Sequence, residues 1–245
     1  MKKTNLIFPY KKEFAYSYTA GAYATIELLS ARPEQVQAIY LRSSHRGNID
    51  ELSRLCDHTI AQIQHCDAVF KKTRQKENIY ILGVFAKYPG VLSPDTPHVV
   101  LVNPRDMGNL GTIIRTLAGF NITNLAIITP AADVWDPKTI RASMGALFRM
   151  AIEQFASFEQ YRDRYQDHDL YPFMLDGEKQ LTLENCPRGG RYSLVFGSEA
   201  AGLPEHFRHI GTSIRLPQSA AVDSLNLSVA VGIGSFLFAS ANGQI

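Results

Sequence analysis

The stretch VVLVNPRDMGNLGTIIRT, residues 99–116, decides the fold class. Val99 to Val102 are four apolar residues in a row, the pattern of a strand covered on both faces in a parallel sheet. A polar loop with Gly108 and Gly111 follows, and then a helix expected over Gly111–Phe120. The alternation continues toward the C-terminus. Leu125–Ile128 reads as a strand, Pro137–Leu147 as a helix and Tyr192–Phe196 as a strand ending at Gly197. Ser213–Leu216 reads as a short strand, and Ser224–Ala241 as a closing helix rich in small residues. Strands alternating with helices imply an α/β fold, a mostly parallel sheet with helices on both faces. Such sheets bind ligands beyond the carboxyl ends of their strands.

Upstream, Tyr88 to Pro97 holds three prolines and a glycine, which resist helix and strand and mark a linker. The expected organisation is a module over residues 1–90, a linker over 91–97 and a larger domain over 98–245. In the first module Gly21–Ser30 and Asp50–Cys56 read as helices, and Val36–Leu41 and Ile79–Ala86 as strands. Residues 1–95 carry 13 Lys/Arg against 9 Asp/Glu, and residues 96–245 carry 12 against 14. The N-terminal part is therefore the better face for a polyanion. Phe70-Lys-Lys-Thr-Arg-Gln-Lys76 adds a local cluster in which Lys71, Lys72, Arg74 and Lys76 are candidate RNA phosphate contacts, a solvated helix end being the plainer alternative.

The composition, 45% hydrophobic and 20% charged, excludes disordered and collagen-like classes. Three cysteines in 245 residues are too few for a disulfide framework and fit a reducing cytoplasm. The start MKKTNLIFPYKKEF lacks a cleavage site, so no signal peptide is expected, and Leu225–Ala241 is too short and too polar to span a bilayer. Cys56-x-His58 and His65-Cys66 do not have zinc-site spacing, so no metal is expected.

Three segments carry candidate chemistry. In residues 103–116, Asn109 stands at the expected helix start and Arg115 about one and a half turns further on; Asn109 also suits a plain helix cap. In LVFGSEAAGL, residues 194–203, Glu199 follows the end of an apolar strand; a solvated loop carboxylate is the alternative. In IRLPQSAAVDSLNLS, residues 214–228, Ser224 and Asn226 open the last helix, and Ser224 also suits an N-cap. A dinucleotide fingerprint and a P-loop are both absent, which counts against a nucleotide-dependent oxidoreductase.

Taken in order, these segments resemble the SpoU/TrmH branch of the SPOUT RNA methyltransferases over about residues 98–245. The matching patterns are N-x-x-[DN]-x-G-N-x-G-x-I-x-R-T, F-G-x-E-x-x-G-L and [IL]-P-x(5–7)-S-L-N-x-S. The resemblance implies transfer of a methyl group from S-adenosylmethionine to a ribose 2′-OH of RNA, ribosomal RNA before transfer RNA. It also implies a deep trefoil knot at the cofactor site and a homodimer. Carried over by position, it makes Asn109, Arg115, Glu199, Ser224 and Asn226 catalytic or substrate residues, and puts cofactor contacts at Thr129, Gly197, Leu216 and Leu225. The chain departs from the family pattern at Met107, Ser198, Ala200 and Leu216, none of which removes a reacting group. The N-terminal segment is similar to a ribosomal-protein-like RNA-binding module. A non-catalytic RNA-binding or ribosome-assembly protein that kept the fold is the main rival. The segment Arg141-Ala-Ser-Met-Gly-Ala146 is small enough for close helix packing.

Overall fold

A computed structural model describes residues 8–245. The chain divides into two compact units, one of residues up to Tyr88 together with Asp133–Phe148, the other of Pro89–Ala132 and Arg149–Ile245. The segment Asp133–Phe148, which the sequence reading kept with the C-terminal domain, thus packs in the first unit.

In the first unit the elements run β1 (Tyr16–Ala20), α1 (Ala22–Ala31), β2 (Val36–Leu41), α2 (Asp50–Cys56), β3 (Ile63–His65), α3 (Asp67–Lys72) and β4 (Ile81–Ala86). The sheet order is β1-β4-β2-β3, with β4 antiparallel to both neighbours and β3 parallel to β2. Leu28, Ile39, Phe70, Leu82 and Phe85 are fully buried and form its core. Gly83 lies in β4 where a Cβ would come within 2.8 Å of the Thr19 hydroxyl, which itself bonds Thr25 at 2.7 Å. The Asp133–Phe148 segment docks through Ser17 Oγ, which donates to the Trp135 carbonyl at 2.6 Å, and through edge-to-face contacts of Phe85 with Trp135 and Phe148.

In the second unit come β5 (His98–Val102), α4 (Met107–Gly119) and β6 (Asn124–Ile128). The helix expected over Pro137–Leu147 is only α5 (Pro137–Ala142), in the first unit, because positive φ at Met144 and Gly145 ends it. Gly145 sits where a Cβ would strike Glu27 of α1 at 2.7 Å, so the small residues of Arg141–Ala146 serve close packing. The second unit resumes with β7 (Ala151–Phe155), α6 (Phe158–Arg164), β8 (Asp169–Pro172), β9 (Lys179–Gln180), β10 (Tyr192–Phe196), β11 (Ile214–Arg215) and α7 (Leu227–Ala241). Its main sheet has the order β7-β6-β5-β10-β8 and every pairing is parallel. Val100, Val102, Ala126, Ile128 and Val195 pack with Phe158 and Tyr161 of α6, while Val99, Leu101, Leu125, Ile127 and Leu194, alternating with them, are equally buried. Both faces are therefore covered, as an all-apolar strand requires.

Behind the sheet edge the chain passes close to itself. Residues 211–215 run along residues 170–179, with Thr212 N donating to the Leu170 carbonyl at 3.0 Å and Met174 N to the Ile214 carbonyl at 2.8 Å. Gly177 and Gly211 stand where a Cβ would lie 2.4 and 2.1 Å from backbone atoms of Ile214 and Leu170.

Two helix starts differ from expectation. The cap of α4 is Asp106, whose carboxylate accepts from Asn109 N at 2.7 Å, so Asn109 sits inside the first turn rather than at the cap. The cap of α7 is Asn226 and not Ser224, with Asn226 Oδ1 accepting from Ser228 N at 2.8 Å.

Candidate active site

The loop after β5, the loop after β10 and the start of α7 meet at the carboxyl edge of the parallel sheet. Glu199 joins the first two. Its Oε2 accepts from Arg105 N at 3.1 Å, and its Oε1 from Asp106 N at 3.2 Å and Asn109 Nδ2 at 3.3 Å. Asn109 joins the third, its Oδ1 accepting from Asn226 Nδ2 at 3.3 Å. Asn226 Oδ1 is in turn held by the amide and the hydroxyl of Ser228. Three candidates from distant segments are thus one hydrogen-bonded chain.

Burial pushes the Glu199 carboxyl upward, but donors outweigh it: its own amide, Arg105 N, the Asn109 amide and Asp106 N hold it below the usual carboxylate range. It stands as a carboxylate whose two oxygens already accept three hydrogen bonds from this loop.

Beside this chain lies a cavity of about 340 Å³, within the range of small-molecule sites. Gly197, Leu216 and Leu225 line it, as do Glu199 and Ser224. Gly197 is fixed there by shape, because a Cβ would fall 2.0 Å from the Gly202 carbonyl carbon. The wall also contains Phe173, Met174 and Asp176, which no local signal in the sequence marks, since they reach the pocket only through the chain crossing at Ile214. The charged lining residues are Asp176, Glu199 and Glu205; Asp176 and Glu205 both pair with Arg208, and Glu199 is bonded to the loop before α4.

Two candidates stand apart from both the hydrogen-bonded chain and the pocket lining. Thr129 follows β6, and its Oγ1 donates to the Phe155 carbonyl at 3.1 Å. Arg115 is exposed on α4, with no hydrogen-bond or ion-pair partner among the described residues. In the first unit Lys71, Lys72, Arg74 and Lys76 are all exposed. Arg42, which the sequence reading passed over, joins them: it stacks on Phe70 at 4.7 Å and donates to the Ile79 and Lys76 carbonyls at 2.6 and 3.1 Å. Asp106 was also passed over, although an Asp three residues before Asn109 has the spacing of a cap. Among the described residues no group of three His, Cys, Asp or Glu side chains is placed to hold a metal ion, and no helix is long and apolar enough to cross a membrane.

Comparison with known proteins supplies the family. The chain is 33% identical over 141 residues to the 23S rRNA (guanosine-2′-O-)-methyltransferase RlmB of Xylella fastidiosa, covering 56% of each protein. It is 29% identical over 138 residues to the 23S rRNA (adenosine(1067)-2′-O)-methyltransferase of Streptomyces laurentii, 55% of this chain and 51% of the relative. The chain therefore spans about half the length of the curated relatives it matches. In fold it is similar to an AdoMet-bound rRNA methyltransferase from Sinorhizobium meliloti, with TM-score 0.76, 24% identity, and 91% and 86% of the two chains covered. It is likewise similar to the SpoU methyltransferase AviRb of Streptomyces viridochromogenes with AdoMet, with TM-score 0.78, 18% identity, and 92% and 90% covered. Residues 96–236 match the SpoU rRNA Methylase family over more than half of the chain, and the protein belongs to that family.

Proposed function

We propose that this protein transfers a methyl group from S-adenosylmethionine to a ribose 2′-OH in structured RNA, ribosomal RNA in the first place. The observation that carries the reading is the chain Glu199–Asn109–Asn226 beside a cavity at the sheet's carboxyl edge. The cavity fits the cofactor in size and in its apolar Leu216 and Leu225 walls. When bound, that group supplies an electrophilic methyl carbon. The ribose oxygen would take that methyl as the donor's C–S bond gives its electron pair to sulfur, and the hydroxyl proton would leave to solvent.

The residues of this chain orient and stabilise. Gly197, Leu216 and Leu225 line the cofactor's place, and Thr129 shapes the neighbouring loop. Glu199 is braced rather than basic, because Arg105 N, Asp106 N and Asn109 Nδ2 occupy most of its lone-pair sites and favour its ionised form. It fixes the loop that carries Asn109, and Ser224 and Asn226 complete the ribose-binding edge. Arg115, exposed and without an ion-pair partner among the described residues, is the cation that meets the developing charge on the ribose oxygen and the adjacent phosphate. Its high intrinsic pKa makes it a stabiliser and not a base.

The first unit serves as the RNA-binding module, through Lys71, Lys72, Arg74 and Lys76. The close crossing of residues 170–179 and 211–215 supports a trefoil-knotted cofactor site. Val229, Ile233 and Phe236 form an exposed apolar stripe on α7 at helical spacing, which supports a homodimer. Three free cysteines fit a cytoplasmic protein. The test is incorporation of tritiated methyl from S-adenosylmethionine into ribosomal and transfer RNA, followed by mapping of 2′-O-methyl sites. Cofactor binding with no incorporation into either RNA would favour the non-catalytic rival.

A further inference from the structure

Under the amino-terminal edge of the parallel sheet, away from the cavity, four buried side chains form an unbranched hydrogen-bonded line. It begins at the Ser93 carbonyl, 2.8 Å from His98 Nε2. His98 Nδ1 is 2.8 Å from Tyr161 Oη, which is 2.6 Å from Ser193 Oγ. Ser193 Oγ is 2.9 Å from His168 Nδ1, and His168 Nε2 is 2.9 Å from the Pro94 carbonyl. His98, Tyr161 and Ser193 are 0% exposed and His168 6%.

The hydrogens do not balance. The line has five links, and each needs one hydrogen between its two heavy atoms. Two neutral imidazoles, a phenol and an alcohol bring four. Both ends are carbonyl oxygens, which only accept, so every neutral arrangement leaves one link as two facing lone pairs. Buried polar atoms left that way cost on the order of a lost hydrogen bond. A single added proton fills all five links, the two end rings donating outward to the carbonyls and the three inner links running one way; a second has no acceptor left, and the two imidazole centroids are only 4.3 Å apart.

We infer that His98, Tyr161, Ser193 and His168 form a one-proton site, in which the folded protein takes up one proton shared along the line and no second. The ring that stays neutral is His98: burial is the main cause that lowers it, to about 4, with the Ser93 carbonyl opposing and His168 adding to it. The other groups that face the rings are Tyr161 and Tyr165 of α6, with centroids 5.9 and 4.7 Å from His98. Charges lie only at the rim. Arg191 pairs with Asp95 at 3.6 Å and Asp167 at 3.5 Å, Asp169 opens β8, and Glu153 pairs with Arg164 beside Tyr165. No carboxylate bonds to either ring among the described residues. The carbonyls gripped, Ser93 and Pro94, belong to the segment entering β5.

The count also supplies the control. Without the Ser193 hydroxyl, three links remain for three hydrogens, and the neutral line is complete; the same holds without the Tyr161 hydroxyl. The experiment is histidine-ring ¹⁵N NMR of the full chain against pH, with His98 and His168 assigned by single substitution. In the wild type near pH 6, one ring of the pair carries hydrogen on both nitrogens while the other stays neutral until the protein unfolds. In S193A the first uptake moves down by at least about one pH unit, a tenfold loss of proton affinity. Y161F is expected to do the same and serves if S193A does not fold. Two neutral rings near pH 6 in the wild type, two separate protonations in the folded state, or unchanged uptake in the folded variants would overturn the inference.

Discussion

Glu199 Oε1 accepts a hydrogen bond from Asn109 Nδ2 at 3.3 Å across 90 residues of sequence. This contact, with the two backbone amides of Arg105 and Asp106, turns a loop carboxylate into the brace of the α4 entry loop. Replacing Glu199 by Gln keeps the shape but turns one acceptor into a donor facing an amide N–H. Methyl transfer is expected to fall at least about 100-fold, the scale of losing one preorganised polar contact, with cofactor affinity changed only a few-fold. Tritiated methyl incorporation beside calorimetric titration checks both.

The same brace has a pH signature. The folded Glu199 carboxyl ionises below its ordinary value. Its stabilising effect is therefore complete above the unfolded value of about 4.3 and is lost as pH falls through the lower folded value. In E199Q that part of the acid limb disappears, and urea midpoints of the two proteins converge as pH drops below about 4. A gap between the midpoints that persists undiminished into that range would refute the brace.

Arg115→Ala separates chemistry from binding. The side chain is exposed and has no hydrogen bond or ion pair among the described residues, so stability is expected to change by no more than about 0.5 kcal/mol. Methyl transfer is expected to vanish while cofactor binding stays within a few-fold. Substantial residual turnover would remove Arg115 from the mechanism.

The basic edge of the first unit is tested by changing Lys71, Lys72 and Lys76 to Glu. RNA affinity is expected to fall and the slope of log affinity against log salt to flatten, because fewer counterions are released. Filter binding across a salt series measures both. Equal affinity at every salt concentration would move the RNA contact elsewhere.

How much of this was legible in the sequence depends on how local each signal is. The all-apolar runs at Val99–Val102 and Tyr192–Phe196 mark their strands because a strand covered on both faces has no polar position to blur it. Strand β7 and helix α6 went unread, since Ala151-Ile-Glu-Gln-Phe155 mixes charge into a half-buried edge. The cap of α4 lies three residues before the expected Asn109 because Asp106 and Asn109 both suit a cap, and only the backbone decides between them. The order of three motifs marks Glu199 and Asn109 singly, but their pairing across 90 residues has no signature in the sequence. The Phe173–Asp176 wall had no signature at all, because it is set by a crossing of distant segments.

The last expectation concerns α7. Val229, Ile233 and Phe236 are 48, 39 and 47% exposed, and Phe236 leans on Phe120 at a 5.8 Å centroid distance. An apolar stripe at i, i+4 and i+7 on the helix that also carries Asn226 is what a symmetric partner covers. Ile233→Asp places a charge in that stripe without touching the fully buried Val231 or Phe238 on the inner face. Light scattering after size exclusion is expected to show a dimer for the wild type and a monomer for I233D, with thermal unfolding of the variant starting lower. A wild-type monomer at tens of micromolar would show that the stripe serves another purpose.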